Sequence, residues 1–154
     1  MARLSPGDKA PDFHLPDDSG KTVSLKDYKG KRFVIYFYPK DDTPGCTKEA
    51  CQFSDLNTKF DKIGVDVIGI SADGAESHQK FRTKYSLKIK LLSDPGHEVM
   101  ESYGAWGEKT LYGKKSIGVI RSTFLVSPDG EIERAWYNVR ADGHADAVLQ
   151  EVAG

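Results

Sequence analysis

Sulfur is scarce in this chain: 154 residues carry two cysteines and two methionines. The cysteines, Cys46 and Cys51, stand five positions apart in "YPKDDTPGCTKEACQ". Four residues between them break the Cys-x-x-Cys pattern of a thioredoxin-type oxidoreductase. His14, His78, His97 and His144 show no paired spacing that would complete a zinc site around them. Long apolar runs are also missing. No stretch approaches the ~20 residues needed to span a bilayer, and "MARLSPGDKAPDF" lacks the apolar core of a secretory signal. Positive charge is not in excess either. A formal net charge of -1, with lysines scattered among acids, argues against a protein that neutralises phosphates along a nucleic acid. These absences predict a soluble cytoplasmic protein with neither a membrane nor a nucleic-acid partner. In a reducing cytosol a structural disulfide does not last, so a cysteine pair there is more often catalytic or metal-binding.

The chain has the material of one globular domain. Hydrophobic residues make up 38% and charged residues 29%, which suggests neither disorder nor a membrane protein. Turn signals in the first thirty residues, around "FHL" and "TVSL", predict an N-terminal hairpin and a short helical turn. "RFVIYFY", residues 32–38, and "VDVIGISA", residues 65–72, read as buried strands. Between them Ala50, Phe53, Leu56, Phe60 and Ile63 recur at helical steps and predict one helix with a single buried face. Residues 75–86 read as a polar surface helix and 97–104 as a shorter helix ending at glycine. "VIRSTFLVS" and "EIERAWYNV", joined by "PDG", form an expected antiparallel hairpin. The stretch 107–118 reads as a mobile polar loop, and "HADAVLQEVA" as a closing helix. The order predicts a single α/β domain, with a mixed sheet and helices on both faces.

Chemistry concentrates at Cys46. The nucleophile is the thiolate, and an ordinary thiol is only about 3% ionised at pH 7. The strand over 32–38 runs into a loop and then into the amphipathic helix, so Cys46 falls at the first helical turn. Pro44 suits that place because its missing N–H costs no hydrogen bond there, and the free amides and helix dipole favour a negative sulfur. Thr43 has two readings: a helix N-cap accepting from the Cys46 amide, or a hydroxyl orienting a bound substrate. Five helical steps would hold the two Cα atoms about 8.7 Å apart, beyond the ~7 Å limit for a disulfide. The pair can bond only if the first turns unwind. The plain alternative is a pair of inert buried cysteines, above all for Cys51 on an apolar-patterned helix.

The pattern Pro39, Thr43, Cys46 resembles the peroxiredoxin active-site motif Pro-x-x-x-(Thr/Ser)-x-x-Cys. "YFYPKDDTPGCTKEAC" is similar to the bacterioferritin comigratory protein subgroup, the Q-type peroxiredoxins. The likeness extends through "GDKAPDFHLPD", "VIGISAD", "LLSDPGHEVMESYGAWGEK" and "GVIRSTFLVSPDGEI". It implies a thioredoxin-like fold, a central mixed sheet flanked by helices with an N-terminal hairpin extension, and no metal, haem or flavin cofactor. It implies an antioxidant enzyme that reduces hydrogen peroxide and organic hydroperoxides. Cys46 would be the peroxidatic cysteine and Cys51 the resolving one, with thioredoxin or a similar dithiol protein as reductant; the subgroup leans monomeric. Arg121 matches the family's active-site arginine, although as a strand residue alone it would read as an exposed ion-pair partner. Glu49, three residues past Cys46, would hold that arginine or simply be solvated, and Pro39 would shape the loop and shield the sulfur. Two other readings remain beside this one: a thiol–disulfide oxidoreductase on the same fold, and a non-catalytic module whose surface changes on disulfide formation.

Overall fold

The computed structural model describes residues 3–111 and 113–154. A five-stranded mixed sheet forms its centre. Its members are β3 (Phe33–Phe37), β4 (Asp66–Ser71), β5 (Lys90–Ser93), β8 (Ser122–Val126) and β9 (Ile132–Trp136), in the order β5-β4-β3-β8-β9. β3, β4 and β5 run parallel, while β8 is antiparallel to β3 and β9 antiparallel to β8. The run over 32–38 is the central strand, and all five residues of β3 are buried. Alternation sorts its side chains to two cores. Phe33, Ile35 and Phe37 join one, and Val34, Tyr36 and Tyr38 the other.

The first core is covered by the N-terminal hairpin, β1 (His14–Pro16) and β2 (Thr22–Ser24), by a 3-10 turn at Leu25–Tyr28, and by α4 (Glu98–Ser102). The second is covered by α1 (Pro44–Asp55), α2 (Asn57–Lys62), α3 (Ala75–Tyr85) and α5 (His144–Ala153). Helices therefore lie on both faces, as the element order predicts. Full burial of Phe53 and Phe60 is worth roughly 1.5–3 kcal/mol each and fixes α1 and α2 on the sheet. Close fit extends to β4. A Cβ on Gly69 would stand 2.8 Å from the Tyr36 ring, so only glycine lets that tyrosine lie across the strand.

Four expectations are corrected. The single long helix divides at Leu56 into α1 and α2, and Ile63 lies 42% exposed instead of on the buried face. The chain turns through Gly64, whose φ is +73°, and Val65 takes the core position. α3 is not simply a surface helix, because His78 and Phe81 are buried on its inner side. The stretch 107–118 is no loop. It belongs to an antiparallel hairpin of β6 (Trp106–Leu111) and β7 (Lys114–Val119), with Tyr112 outside the described residues. Its polar composition reflects exposure of β7, not lack of structure. Finally β5, short and half-hidden in "KIKLLSD", is a further strand of the central sheet.

Candidate active site

The sheet register brings distant residues together. β3 and β8 are antiparallel with Phe37 opposite Ser122, so the last residue of one strand and the first of the other lie side by side at one end of the sheet. The chain leaves β3 toward Cys46 at that end, and Arg121 enters β8 there. Pro44 is the first residue of α1 and Thr43 its N-cap. The first helical bond runs from Thr47 N–H to the Thr43 carbonyl. The amides of Gly45 and Cys46 therefore precede the hydrogen-bond ladder and direct their partial positive charge at the start of the helix.

Cys46 is 2% exposed and its thiol is free. One guanidinium nitrogen of Arg121 lies 3.3 Å from its Sγ, and the other donates to Glu49 Oε1. Glu49 is fully buried, so its solvated reading falls, and Arg121, with 17% of its side chain exposed, is no surface ion-pair partner. Burial pushes the Glu49 carboxyl up to about 7, outweighing the pull of the Arg121 charge and hydrogen bond. Arg121 loses some favour to burial, but Glu49 and Cys46 more than restore it, so it stays cationic throughout. Glu49 Oε2 and the Tyr36 hydroxyl are both buried without a hydrogen-bond partner among the described residues. The tyrosine is held far from ionisation, first by burial and then by the charges of Glu49 and Cys46. His144 opens α5 and bonds Thr123 Oγ1 through Nε2 at 2.8 Å. Burial, helped by the Arg121 charge, lowers it to about 4 and leaves it neutral at pH 7.

Thr43 does not cap the helix with its side chain. Its hydroxyl donates to the Lys40 carbonyl at 2.8 Å, a bond that closes the loop before Cys46 and overturns the capping reading. Pro39, half-buried, begins that loop. A residue that sequence reasoning missed holds it: Asp41. Its carboxylate accepts from Tyr38 at 2.6 Å, from Ser77 at 2.8 Å and from His78 Nδ1 at 2.6 Å, and its amide donates to Asp73 at 2.8 Å. His78 Nε2 faces the Leu92 carbonyl at 2.9 Å. With an acceptor at each ring nitrogen, the fully buried imidazole donates from both only as the cation. Burial alone would lower its pKa, but the Asp41 and Leu92 bonds prevail and raise it. The only signal in the sequence was a histidine in a polar helix, too little to single out.

Cys51 lies on α1 with Cys46, half-buried against the helical core. Burial, with a smaller push from Asp55, raises its thiol above the ordinary range. Because both cysteines belong to one continuous helix, their Cα separation is the helical ~8.7 Å, too long for a bond. Among the described residues, no group of three or more His, Cys, Asp and Glu gathers as a metal centre would require.

One thiol held against a cation, with a second further along the same helix, is the equipment of a cysteine-dependent redox enzyme on a thioredoxin-like sheet. Comparison with known proteins gives the family. Residues 6–135 match the AhpC/TSA family. The peroxiredoxin Bcp of Escherichia coli is 46% identical over 149 residues, covering 97% of this chain and 96% of that protein. A peroxiredoxin Q variant from Xylella fastidiosa superposes with a TM-score of 0.92 at 34% identity, covering 99% of this chain and 98% of that one. The bacterioferritin comigratory protein of Xanthomonas campestris, whose structures address alkyl peroxide reduction, gives 0.88 at 39% identity over 99% of this chain and 98% of that one. The chain belongs to the AhpC/TSA family and stands among its Bcp/PrxQ peroxiredoxins. It is a thiol peroxidase, acting on peroxide with a dithiol as the ultimate reductant. No helix among the described residues is long and apolar enough to cross a membrane.

Proposed function

We propose that Cys46 is the peroxidatic nucleophile and Cys51 its resolving partner, in a cycle that takes both hydrogen peroxide and organic hydroperoxides. The observation that carries the reading is the 3.3 Å approach of the Arg121 guanidinium to Cys46 Sγ at the first turn of α1. The Cys46 thiolate attacks the terminal peroxide oxygen, the O–O bond breaks, and the departing oxygen takes up a proton to leave as water or alcohol. Sulfur is oxidised to sulfenic acid. Arg121 stabilises the thiolate and then the charge gathering on the leaving oxygen. Glu49 holds the guanidinium from its other side. Pro39 and the Thr43–Lys40 bond shape the loop that shields the sulfur, and the Thr43 hydroxyl, donating to Lys40, keeps its lone pairs for orienting a bound peroxide.

The Cys51 thiolate next attacks the Cys46 sulfur, forming the disulfide and expelling hydroxide, which leaves as water. Thioredoxin or a similar dithiol protein then returns both thiols. The enzyme works as a cytoplasmic monomer. The experiment is a coupled assay with hydrogen peroxide and an alkyl hydroperoxide. Cys46→Ser abolishes turnover of both, while a folded Cys46→Ser variant that still consumes peroxide overturns the assignment. In wild type, mass spectrometry after one peroxide equivalent finds a Cys46–Cys51 disulfide; a sulfenic acid persisting beside a free Cys51 removes Cys51 from the resolving role.

A further inference from the structure

The residue next to Cys51 is tied to another part of the fold. Gln52 donates from Nε2 to Asp142 Oδ1 at 2.8 Å and accepts from the Gly143 amide through Oε1 at 2.9 Å. Both ends of one side-chain amide therefore grip the two residues just before α5. The same segment runs along the earlier turns of α1. Lys48 Nζ stands 4.0 Å from Asp142 Oδ2, and a Cβ on Gly45 would lie 3.8 Å from that of Ala141. The Val139 amide donates to the Arg121 carbonyl at 3.1 Å. Residues 139–143 thus form a strut that touches α1 at Gly45, Lys48 and Gln52 and is fastened to the backbone of the active-site arginine.

This strut bears on the second chemical step, and the argument rests on the resolving role of Cys51 proposed above. Disulfide formation needs the two Cα atoms to close by about 2 Å, so the helix must open through Cys51. Gln52 follows by one peptide link of about 3.8 Å. Opening through residue 51 also removes the helical bond from the Gln52 amide. Two hydrogen bonds at 2.8 and 2.9 Å have little slack, and a shift of about an ångström ends both. We propose that Gln52 is a positioning residue of the resolving step: a latch that holds α1 folded for attack on peroxide and must release Asp142 and Gly143 before Cys51 reaches Cys46. The latch sets the time Cys46 spends as unresolved sulfenic acid, and therefore how readily it is overoxidised.

The test separates the two steps by rapid mixing. In Gln52→Ala the peroxide step is expected to stay close to wild type, while the sulfenic-to-disulfide step quickens about five- to a hundredfold, the scale of two hydrogen bonds lost from the folded helix. Overoxidation at high peroxide falls in parallel. Combining Gln52→Glu with Asp142→Asn reverses the donor and acceptor and restores both bonds at the same total charge, so the resolving rate should return toward wild type. The Gly143 amide supplies a readout free of kinetics: protected from exchange in the reduced protein, unprotected in the disulfide form. An unchanged or slower resolving step in Gln52→Ala, or a Gly143 amide still protected after oxidation, overturns the latch. Should wild type form no Cys46–Cys51 disulfide at all, the resolving assignment fails first and the latch with it.

Discussion

Arg121 and Cys46 are 75 residues apart in the chain, and the guanidinium comes within 3.3 Å of the sulfur. Neither local sequence requires this meeting. It follows from the antiparallel register of β3 and β8, which places Arg121 at the end of the sheet where α1 begins. On the proposed reading, a permanent planar cation at that distance stabilises the oxyanion that develops as the peroxide bond breaks.

Replacing Arg121 with alanine should therefore slow the peroxide step by about 10²–10³-fold, the usual cost of losing one charge-assisted donor at a reacting oxygen. Arg121→Lys keeps the charge but not the fork that serves Glu49 and Cys46 together, so it should recover only part of the rate. Stopped-flow peroxide kinetics gives the number. If the peroxide step in Arg121→Ala matches wild type, the arginine does not act on the sulfur.

The sequence made half of this site readable. Pro44 and the run of apolar positions locate a helix start at Cys46, because helix entry depends on residues close in the chain. Arg121 and Glu49 depend on tertiary placement. By residue type alone one is a strand cation and the other a solvated acid, and only the family pattern pointed to the arginine. Asp41 and His78 were not legible at all. Their importance lies in a buried network crossing from a loop to α3, and the sequence around His78 looks like an ordinary polar face. The fold shows the same division. β3 and β4 announce themselves by apolar runs, whereas β7 is mostly exposed and its polar residues disguise a hairpin as a loop.

Glu49 makes stability depend on pH in a predictable sense. Burial raises its carboxyl from 4.5 to about 7, so the folded state binds the proton more tightly than the unfolded one. Its contribution is therefore largest in acid and declines as pH rises from about 4.5 to 7, by on the order of 3 kcal/mol in all. His144, lowered to about 4, acts oppositely, adding stability as pH climbs from about 4 toward 6.5. Only the difference between wild type and Glu49→Gln isolates the carboxyl. Urea titrations at pH 5 and pH 8 should show Glu49→Gln gaining on wild type at the higher pH. A constant difference between the two proteins across that range would mean that Glu49 does not titrate there.

Asp41 should matter to the fold more than any other side chain in the loop before Cys46. Asp41→Asn leaves the fully buried His78 cation without its carboxylate, and breaking a buried pair from one side commonly costs about 3–5 kcal/mol. The loss should be smaller at alkaline pH. The His78 pKa is raised in the fold, so its stabilisation is complete below its ordinary value near 6.5 and fades as pH rises through the higher folded value. Denaturant melts of the reduced variant at pH 6 and pH 9 test both size and trend. A variant as stable as wild type at pH 6 would show that the Asp41–His78 bond holds nothing in place.

The last prediction concerns α1 itself. Cys46 and Cys51 share a helix from Pro44 to Asp55, and their ~8.7 Å helical separation exceeds what a disulfide spans. A Cys46–Cys51 disulfide, formed as proposed, must therefore melt the turns written "CTKEAC". Several backbone hydrogen bonds go with them, each worth roughly 0.5–1.5 kcal/mol net, and Ala50, now fully buried, must leave its place against the sheet. The disulfide form should show lower helicity, faster amide exchange over residues 44–52 and easier tryptic cleavage after Lys48. Phe53, anchored in the core on the far side of the break, keeps the rest of α1 and all of α2 protected. Cys51→Ser should show none of these changes after peroxide, stopping at the sulfenic acid and overoxidising readily. Hydrogen exchange on reduced, oxidised and Cys51→Ser protein, with the disulfide verified by mass spectrometry, decides the matter. A verified disulfide with undiminished protection over 44–52 would mean that the two sulfurs meet by some route other than opening the helix.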